Sequence, residues 1–182
     1  MPTETALEIH LKGTSVWRGV IVPSSIKLPK LHAVIQVGMG WTDSHLHFFR
    51  SKFGTYEPVS EEDDLMPESM DEAEFSLDQL VGKKGDRISY VYDFGDSWDH
   101  DLIVKAIITC PKRRRRAECI LGELACPPED VGGVPGYQAL CQAMAKGSGV
   151  EWDHYLDWLG EAFDAKAFDQ QSVQRRLAKL AV

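Results

Sequence analysis

The sequence contains no apolar run long enough to span a bilayer, and no N-terminal basic segment precedes an apolar run with a small-residue cleavage site. We therefore expect no membrane partner and a cytoplasmic location. A C-x-x-C pair is also missing, which removes the strongest zinc-ribbon signal. Because nothing marks the chain as secreted, the four cysteines are expected to be reduced thiols. They are Cys110, Cys119, Cys126 and Cys141.

Positive charge is outnumbered by negative charge. The 182 residues include 20 Lys and Arg against 28 Asp and Glu, a formal net charge of -8. Segment 57–78 holds ten acidic residues and no Lys or Arg, and it predicts a mobile surface loop with a short helical turn near 77–81. This balance argues against a general polyanion-binding protein, because nucleic-acid domains usually present a basic surface.

One basic run, 112–116, stands against this acidic balance. Arg side chains bind phosphates through pairs of hydrogen bonds, which gives a nucleic-acid interface its usual contacts. Such an interface would use Arg113, Arg114, Arg115 and Arg116. The alternative is a solvated loop tip that balances the acidic segment.

The first third of the chain alternates strand and helix patterns. Apolar residues at every second position of 7–11 predict a half-buried strand, and 16–22 is its hairpin partner. Apolar residues on one helical face predict a helix over 28–39, which ends at glycines. Segment 45–50 predicts a further strand.

A second hairpin is predicted from strands 88–94 and 98–108, joined by a turn at 95–97. With a three-residue turn, Asp93 lies directly opposite Asp99. Like charges in that position are destabilising, so a cation, a basic side chain or a raised pKa should compensate.

The last third begins with an irregular loop at 126–133, because two prolines remove backbone donors and two glycines allow unusual backbone angles. Helical spacing of apolar residues follows over 137–144, 152–159 and 173–180. We predict one α+β domain over 1–182. It has a largely antiparallel sheet of hairpins, helices packed on one side and a helical C-terminal third.

Long motifs in two segments carry a resemblance to a known family. They read Tyr90-Val-Tyr-Asp-Phe-Gly-Asp-Ser-Trp-Asp-His100 and Cys119-Ile-Leu-Gly-Glu-Leu-Ala-Cys-Pro-Pro-Glu-Asp-Val-Gly-Gly133. They resemble the Ri plasmid ORF-3-like family, whose members are also catalogued as TnpR-type passenger proteins of insertion elements. The family has no characterised activity, so the resemblance implies the location of a functional centre in 90–100 and 119–133. The basic run 112–116 departs from the usual pattern of the family.

Carboxylates in these two segments predict a site for a divalent metal or a basic partner. The acidic candidates are Asp93, Asp96, Asp99, Glu129 and Asp130, and the candidate metal ligands are Asp93, Asp96 and His100. The structural alternative is that Asp93 and Asp96 accept backbone hydrogen bonds that stabilise the turn.

A second candidate is a zinc site built on His45 and His47, which share one face of a predicted strand. A further ligand would come from His100, Cys119 or Cys126. The alternative is that both imidazoles pack and form hydrogen bonds. A nucleophilic cysteine is disfavoured, because sequence spacing identifies no base for it.

Two functions remain open. The first is a non-catalytic binding or accessory module that captures a protein or nucleic-acid partner through a groove beside the 90–100 hairpin and the 119–133 loop. Its binding residues are Asp93, Asp96, Trp98, His100, Cys119, Cys126, Glu129 and Asp130. The second is a metal-dependent hydrolase or nuclease that uses Asp93, Asp96, His100 and Glu129.

Overall fold

The computed structural model describes residues 1–59, 68–112 and 114–182. Its strands are β1 (Thr3–Leu11), β2 (Trp17–Pro23), β3 (His47–Ser51), β4 (Gly54–Glu57), β5 (Ser69–Asp71), β6 (Arg87–Tyr92), β7 (Trp98–Thr109) and β8 (Glu118–Glu123). They form one eight-stranded sheet in the order β5-β4-β3-β6-β7-β1-β2-β8. Among the strands of the described ranges, only β4 and β5 pair in parallel. The prediction of an α+β chain with a largely antiparallel sheet is confirmed.

Five α-helices and one 3-10 helix lie in the described part of the chain. They are α1 (Leu28–Met39), the 3-10 helix (Glu72–Glu74), α2 (Leu77–Leu80), α3 (Gly133–Lys146), α4 (Val150–Leu159) and α5 (Gln170–Leu177). Gly40 follows the last residue of α1 and caps the helix, and its φ of 96° is the left-handed conformation that favours glycine. None of these helices is long and apolar enough to cross a membrane.

The period-two pattern of β1 places its apolar side chains in the core. Leu7 and Ile9 are almost completely buried, and the intervening Glu8 accepts hydrogen bonds from Lys105 and His10 on the opposite face. Leu28 and Ile35 of α1 are also fully buried. Burial of these side chains, worth about 1.5–3 kcal/mol for each large aliphatic group, joins the helix to the sheet.

The predicted three-residue turn between β6 and β7 is wrong. Tyr92 pairs with Trp98, so the connection contains five residues, 93–97. Asp99 therefore lies opposite Val91, and it forms an ion pair with Lys12 of the β1 end at 3.0 Å. The expected repulsion between two facing aspartates does not occur.

The acidic segment 57–78 is only partly described, because 60–67 lies outside the described residues. The prediction of a surface loop is wrong for 69–74, which forms β5 and the 3-10 helix. Glu72 is only 3% exposed, and its Oε2 lies 3.0 Å from Nε2 of His47. This buried contact attaches part of the acidic segment to β3.

Arg18 of β2 is 2% exposed and joins three parts of the chain. Its guanidinium donates hydrogen bonds of 2.7 to 2.9 Å to four backbone carbonyls. These belong to Trp17, Gly38, Glu123 and Leu124. The Phe168 ring covers the guanidinium at 4.1 Å. No carboxylate in the described ranges forms an ion pair with Arg18, so carbonyl oxygens and the Phe168 ring stabilise this buried cation.

The outer edge of β8 contacts two glutamines of α5. The Gln170 amide donates to the carbonyls of Cys119 and Ile120 at 3.1 and 2.8 Å. Gln174 accepts a hydrogen bond from the Cys119 backbone N–H at 2.8 Å. Helix α5 is therefore attached to the last strand through polar contacts as well as through its buried residues Val173 and Leu177.

Replacing Arg18 should be far more damaging than replacing an exposed arginine. We expect Arg18→Met to lower the free energy of unfolding by about 3 kcal/mol or more, because it leaves buried carbonyls without donors. The matched control is Arg87→Met, since Arg87 is 63% exposed, and it should change stability by about 0.5 kcal/mol or less. Urea denaturation followed by circular dichroism measures both. Equal, small effects would contradict the structural role of Arg18.

Candidate functional site

Three loops meet at one end of the sheet, and we call this region the loop junction. The loops are 41–45, 93–97 and 126–133. The indole Nε1 of Trp41 donates to the Pro127 carbonyl at 2.9 Å. The backbone N–H of Gly132 donates to Oδ2 of Asp96 at 3.1 Å. The segments 90–100 and 119–133 therefore do come together, and the 41–45 loop joins them.

Close packing of the loops depends on two glycines. A Cβ atom on Gly133 would lie 2.7 Å from the Asp96 carbonyl oxygen, and one on Gly136 would lie 1.8 Å from the Val131 oxygen. Gly133 also has a φ of +65°. A larger residue at Gly133 would push the 93–97 turn away from the 126–133 loop, and one at Gly136 would push Val131 of that loop away from α3.

Glu129 accepts hydrogen bonds from strand β6 and from the 41–45 loop. The Tyr92 hydroxyl and the Thr42 side chain and backbone N–H all donate to its carboxylate. Burial acts to raise the pKa of Glu129, but these hydrogen bonds outweigh it and hold that pKa below its ordinary value. Burial, together with the bond to Glu129, raises the pKa of Tyr92. Glu129 is therefore an anion that fixes the Tyr92 hydroxyl as a donor.

Asp93 stabilises the turn that begins with it. Its Oδ1 accepts hydrogen bonds from the backbone N–H groups of Gly95 and Asp96, at 2.9 and 3.3 Å. Its φ is 58°, a conformation that costs a non-glycine residue on the order of 1–3 kcal/mol. With Oδ1 occupied, Oδ2 lies 3.6 Å from Nε2 of His45.

His45 brings a second carboxylate to the same point. Its Nε2 lies 3.2 Å from Oδ1 of Asp130 as well as near Asp93. One possible ligand atom from each of these three residues lies within 4.8 Å of the others. The Asp93 side chain is 9% exposed and that of Asp130 71% exposed, so the group opens to solvent on the Asp130 side.

His100 and Trp98 lie in the core behind the junction, and both are fully buried. The Nδ1–H of His100 donates to the Tyr90 carbonyl at 3.2 Å. Burial lowers the pKa of His100 to about 4, so its ring is neutral. Its Nε2 and the Nε1 of Trp98 have no hydrogen-bond partner within the described segments. His100 is thus a core residue that does not join the acidic group.

The two candidate cysteines lie near Arg18. Cys119 is a buried residue of β8, and its thiol contacts the Leu121 carbonyl at 3.7 Å. Burial raises the pKa of the Cys119 and Cys126 thiols, although the Arg18 charge opposes this. Both groups are neutral thiols, and a zinc site with His45 and His47 is not assembled.

His47 belongs to a separate buried group. Its ring stacks on His32 with centroids 3.6 Å apart, and its Nε2 contacts Glu72. His32 Nδ1 and Nε2 lie 2.8 Å from the Tyr90 hydroxyl and from Asp43, respectively. His32, Asp43 and His47 lie close enough to hold an ion. Both nitrogens of His32 and Nε2 of His47 already have protein partners, so hydrogen bonding accounts for this group.

Sequence reasoning missed His32 and Glu72. His32 is part of an amphipathic helix pattern, and Glu72 lies within a run of acids that predicts a solvated loop. The pairing of His45 with Asp130 links positions 85 residues apart. The signals in the sequence were the pair His45 and His47 and the carboxylates of 90–100 and 119–133, and neither signal by itself indicates the pairing.

The basic run lies beyond the far end of β7. Arg114 forms ion pairs with Glu4 and Glu118, at 3.1 and 2.7 Å, while Arg113 lies outside the described residues. The twelve residues of β7 span roughly 35 Å at 3.3 Å per residue. Arg114, Arg115 and Arg116 therefore do not contribute to the loop junction.

Comparison with known proteins identifies the family. Residues 3–172 match the plasmid pRiA4b ORF-3-like protein family. The chain belongs to this family. The uncharacterized protein y4hQ of Sinorhizobium fredii (strain NBRC 101917 / NGR234) is 36% identical over 171 residues, covering 91% of this chain and 85% of y4hQ. The ORF-3-like resemblance deduced from the motifs is confirmed.

The fold of this ORF-3-like chain also occurs in a solved structure. The crystal structure of MM3350, a protein of unknown function from Methanosarcina mazei Go1, matches with a TM-score of 0.82 and 28% sequence identity. The match covers 94% of this chain and 97% of MM3350. These relatives are described only as uncharacterized or of unknown function, and nothing in them shows catalysis.

Gly136, which lies inside helix α3, tests how closely the 126–133 loop packs on that helix. Gly136→Ala should destabilise the protein by about 1–3 kcal/mol through overpacking against Val131. Gly38→Ala is the matched control, because the nearest atom to its Cβ is 3.9 Å away in Arg18. That replacement should be neutral or slightly stabilising. Thermal unfolding of both variants measures the difference, and a neutral Gly136→Ala would contradict the close contact.

The buried neutral His100 should make stability depend on pH. Its pKa of about 4 in the folded state lies below the ordinary value of about 6.5, so the unfolded chain binds protons more readily. This contribution is complete above pH 6.5 and is lost as the pH falls toward 4. Between pH 7 and 5.5 the native protein should lose about 1 kcal/mol more than His100→Leu. Urea titrations at each pH test this, and identical pH profiles would contradict it.

Proposed function

We propose that the chain is a non-catalytic binding or accessory module that captures a partner at the loop junction. The observation that carries this proposal is the contact between the 93–97 turn and the 126–133 loop through Asp96 and Gly132. These loops, with 41–45, present polar side chains from three distant segments at one edge. Binding residues are commonly placed on such loops by a rigid sheet.

An apolar surface beside the junction supports a protein partner. Leu46 and Phe94 are 59% and 48% exposed, and the Phe94 ring lies 5.7 Å from that of Phe48. We call these three residues the Phe94 patch. Exposed apolar side chains next to polar groups are typical of protein-binding surfaces. The adjoining carboxylates would repel a phosphate backbone, so a nucleic-acid partner is disfavoured here.

The alternative, a metal-dependent hydrolase or nuclease using Asp93, Asp96, His100 and Glu129, has less support. Asp96 accepts a backbone hydrogen bond from the 126–133 loop, and Glu129 is occupied by Tyr92 and Thr42. His100 is buried in the core. A general base needs an acceptor within reach of water, and in this set two carboxylates are engaged by neighbouring loops or strands and the imidazole is buried.

Several finer expectations belong to the same proposal. We infer that the chain acts as one domain over 1–182 in the cytoplasm, and that it is an accessory protein carried by insertion elements like the TnpR-type passengers it resembles. A binding module with no catalytic centre of its own is consistent with such a role. The basic run at 112–116 would then serve a separate contact or only balance charge.

Cross-linking can test the binding surface. We expect a photo-reactive phenylalanine analogue at Phe94 to cross-link one protein in cells, and Asp130→Ala in the same chain to reduce its yield at least tenfold. The control places the analogue at Leu121 of β8, which is 57% exposed and lies away from the junction. Equal capture of the same protein from both positions would contradict the proposal.

A catalytic assay distinguishes the binding module from the metal-dependent hydrolase or nuclease. The purified chain, supplied with Mg²⁺, Mn²⁺ or Zn²⁺, should not hydrolyse phosphodiester or carboxylic ester substrates. Metal-dependent turnover that Glu129→Gln abolishes would instead establish the hydrolase.

A further inference from the structure

We propose that His45, Asp93 and Asp130 form a binding site for one divalent transition-metal ion, with Zn²⁺ as the preferred ion. This site lies at the loop junction and deepens the proposed function, since it names a ligand of the surface that captures the partner. It differs from the metal set expected from sequence, which contained Asp96 and His100. His45 and Asp130 take their places.

The separations of the donor atoms fit a common ion. Metal–ligand distances of about 2.0–2.2 Å place neighbouring ligand atoms roughly 3.0–3.5 Å apart in tetrahedral or octahedral geometry. Nε2 of His45 lies 3.2 Å from Oδ1 of Asp130 and 3.6 Å from Oδ2 of Asp93. A carboxylate oxygen of each aspartate lies within 4.8 Å of the other, so the exposed Asp130 side chain is the one that must shift for all three atoms to reach one ion.

Nε2 of His45 has two carboxylate neighbours but no hydrogen bond in the part of the chain that the structure describes. Nε2 of His45 is inaccessible to solvent and forms no hydrogen bond of acceptable geometry within the described ranges. Its two carboxylate neighbours lie at ion-pair distance without that geometry. A buried polar atom without a hydrogen bond is uncommon in proteins, and a metal bond would satisfy it.

One ligand is already oriented by the backbone. Two N–H groups of the 93–97 turn hold Oδ1 of Asp93, so Oδ2 is directed at His45. Hydrogen bonds to a ligating carboxylate of this kind fix its orientation and improve metal affinity. Asp93 therefore needs no rearrangement before it binds an ion.

Charge around the site favours a dication. The three junction loops contain five carboxylates and no Lys or Arg. These acids are Asp43, Asp93, Asp96, Glu129 and Asp130. A doubly charged cation would relieve the mutual repulsion of these groups.

The donor set selects the class of ion. Mg²⁺ and Ca²⁺ prefer sites built only of oxygen, whereas an imidazole nitrogen with two carboxylates suits Zn²⁺ and related transition metals. Three protein ligands leave at least one position open, and the exposed Asp130 side chain marks the solvent side of the site. A carboxylate or imidazole of the partner is the chemistry that would complete the coordination.

Zinc titration of the isolated chain tests the site without any partner. After treatment with a chelator and dialysis, the native protein should bind one Zn²⁺ per chain by calorimetry, while Mg²⁺ should give no heat at the same concentrations. His45→Gln and Asp130→Asn should each weaken Zn²⁺ binding at least tenfold. Co²⁺ titration should give a visible d–d absorption band that both variants lose.

The matched control removes a histidine and an aspartate from an exposed helix face. The double variant Asp153→Asn, His154→Gln on α4 should bind Zn²⁺ as the native protein does, because both residues are exposed. Absence of stoichiometric Zn²⁺ binding would overturn the proposal. It would also be overturned if His45→Gln bound normally, or if His47→Gln alone abolished binding. Cross-linking at Phe94 in the presence of a chelator remains a separate readout of the binding surface.

Discussion

The position of the loop junction depends on the hydrogen bonds that the buried guanidinium of Arg18 donates to backbone carbonyls. It binds a carbonyl in the last turn of α1, at Gly38, and carbonyls at the end of β8, at Glu123 and Leu124. The carboxyl end of a helix carries partial negative charge, so its carbonyls suit a cation. The 41–45 loop follows α1, and the 126–133 loop follows β8. One side chain therefore sets where two of the three loops begin.

Regular elements were predictable because periodicity reports which side of an element is buried. Alternation in β1 and the apolar face of α1 correctly indicate the first hairpin and helix. The register of the second hairpin was not predictable, because Asp93 adopts a positive φ and its side chain bonds two following N–H groups. That local bonding extends the turn to five residues and moves every facing pair. Turn propensities allow an aspartate to bond the backbone, but they do not give the number of residues in the turn that results.

The structure brings the two predicted segments together, but it does not bring together all of the side chains that were expected to form the site. Asp93 and Asp130 share a histidine neighbour, yet His100, also within these segments, packs in the core. Alternation within a strand places a residue on a face, and only tertiary packing decides whether that face is an interior or a rim. His45 was expected to act with His47, and its carboxylate neighbours could not be assigned from sequence because they come from two other loops. Their binding role stays a prediction.

The glutamines of α5 have a consequence for how the chain behaves among its own copies. A glutamine side chain carries the same amide donor and acceptor as a peptide group, so Gln170 and Gln174 imitate a neighbouring strand along β8. An unprotected strand edge is a template for intermolecular pairing and aggregation. Helix α5 thus acts as a non-extendable end to the sheet. Detachment of α5 would expose the edge of β8 to pairing with the same edge of a second copy.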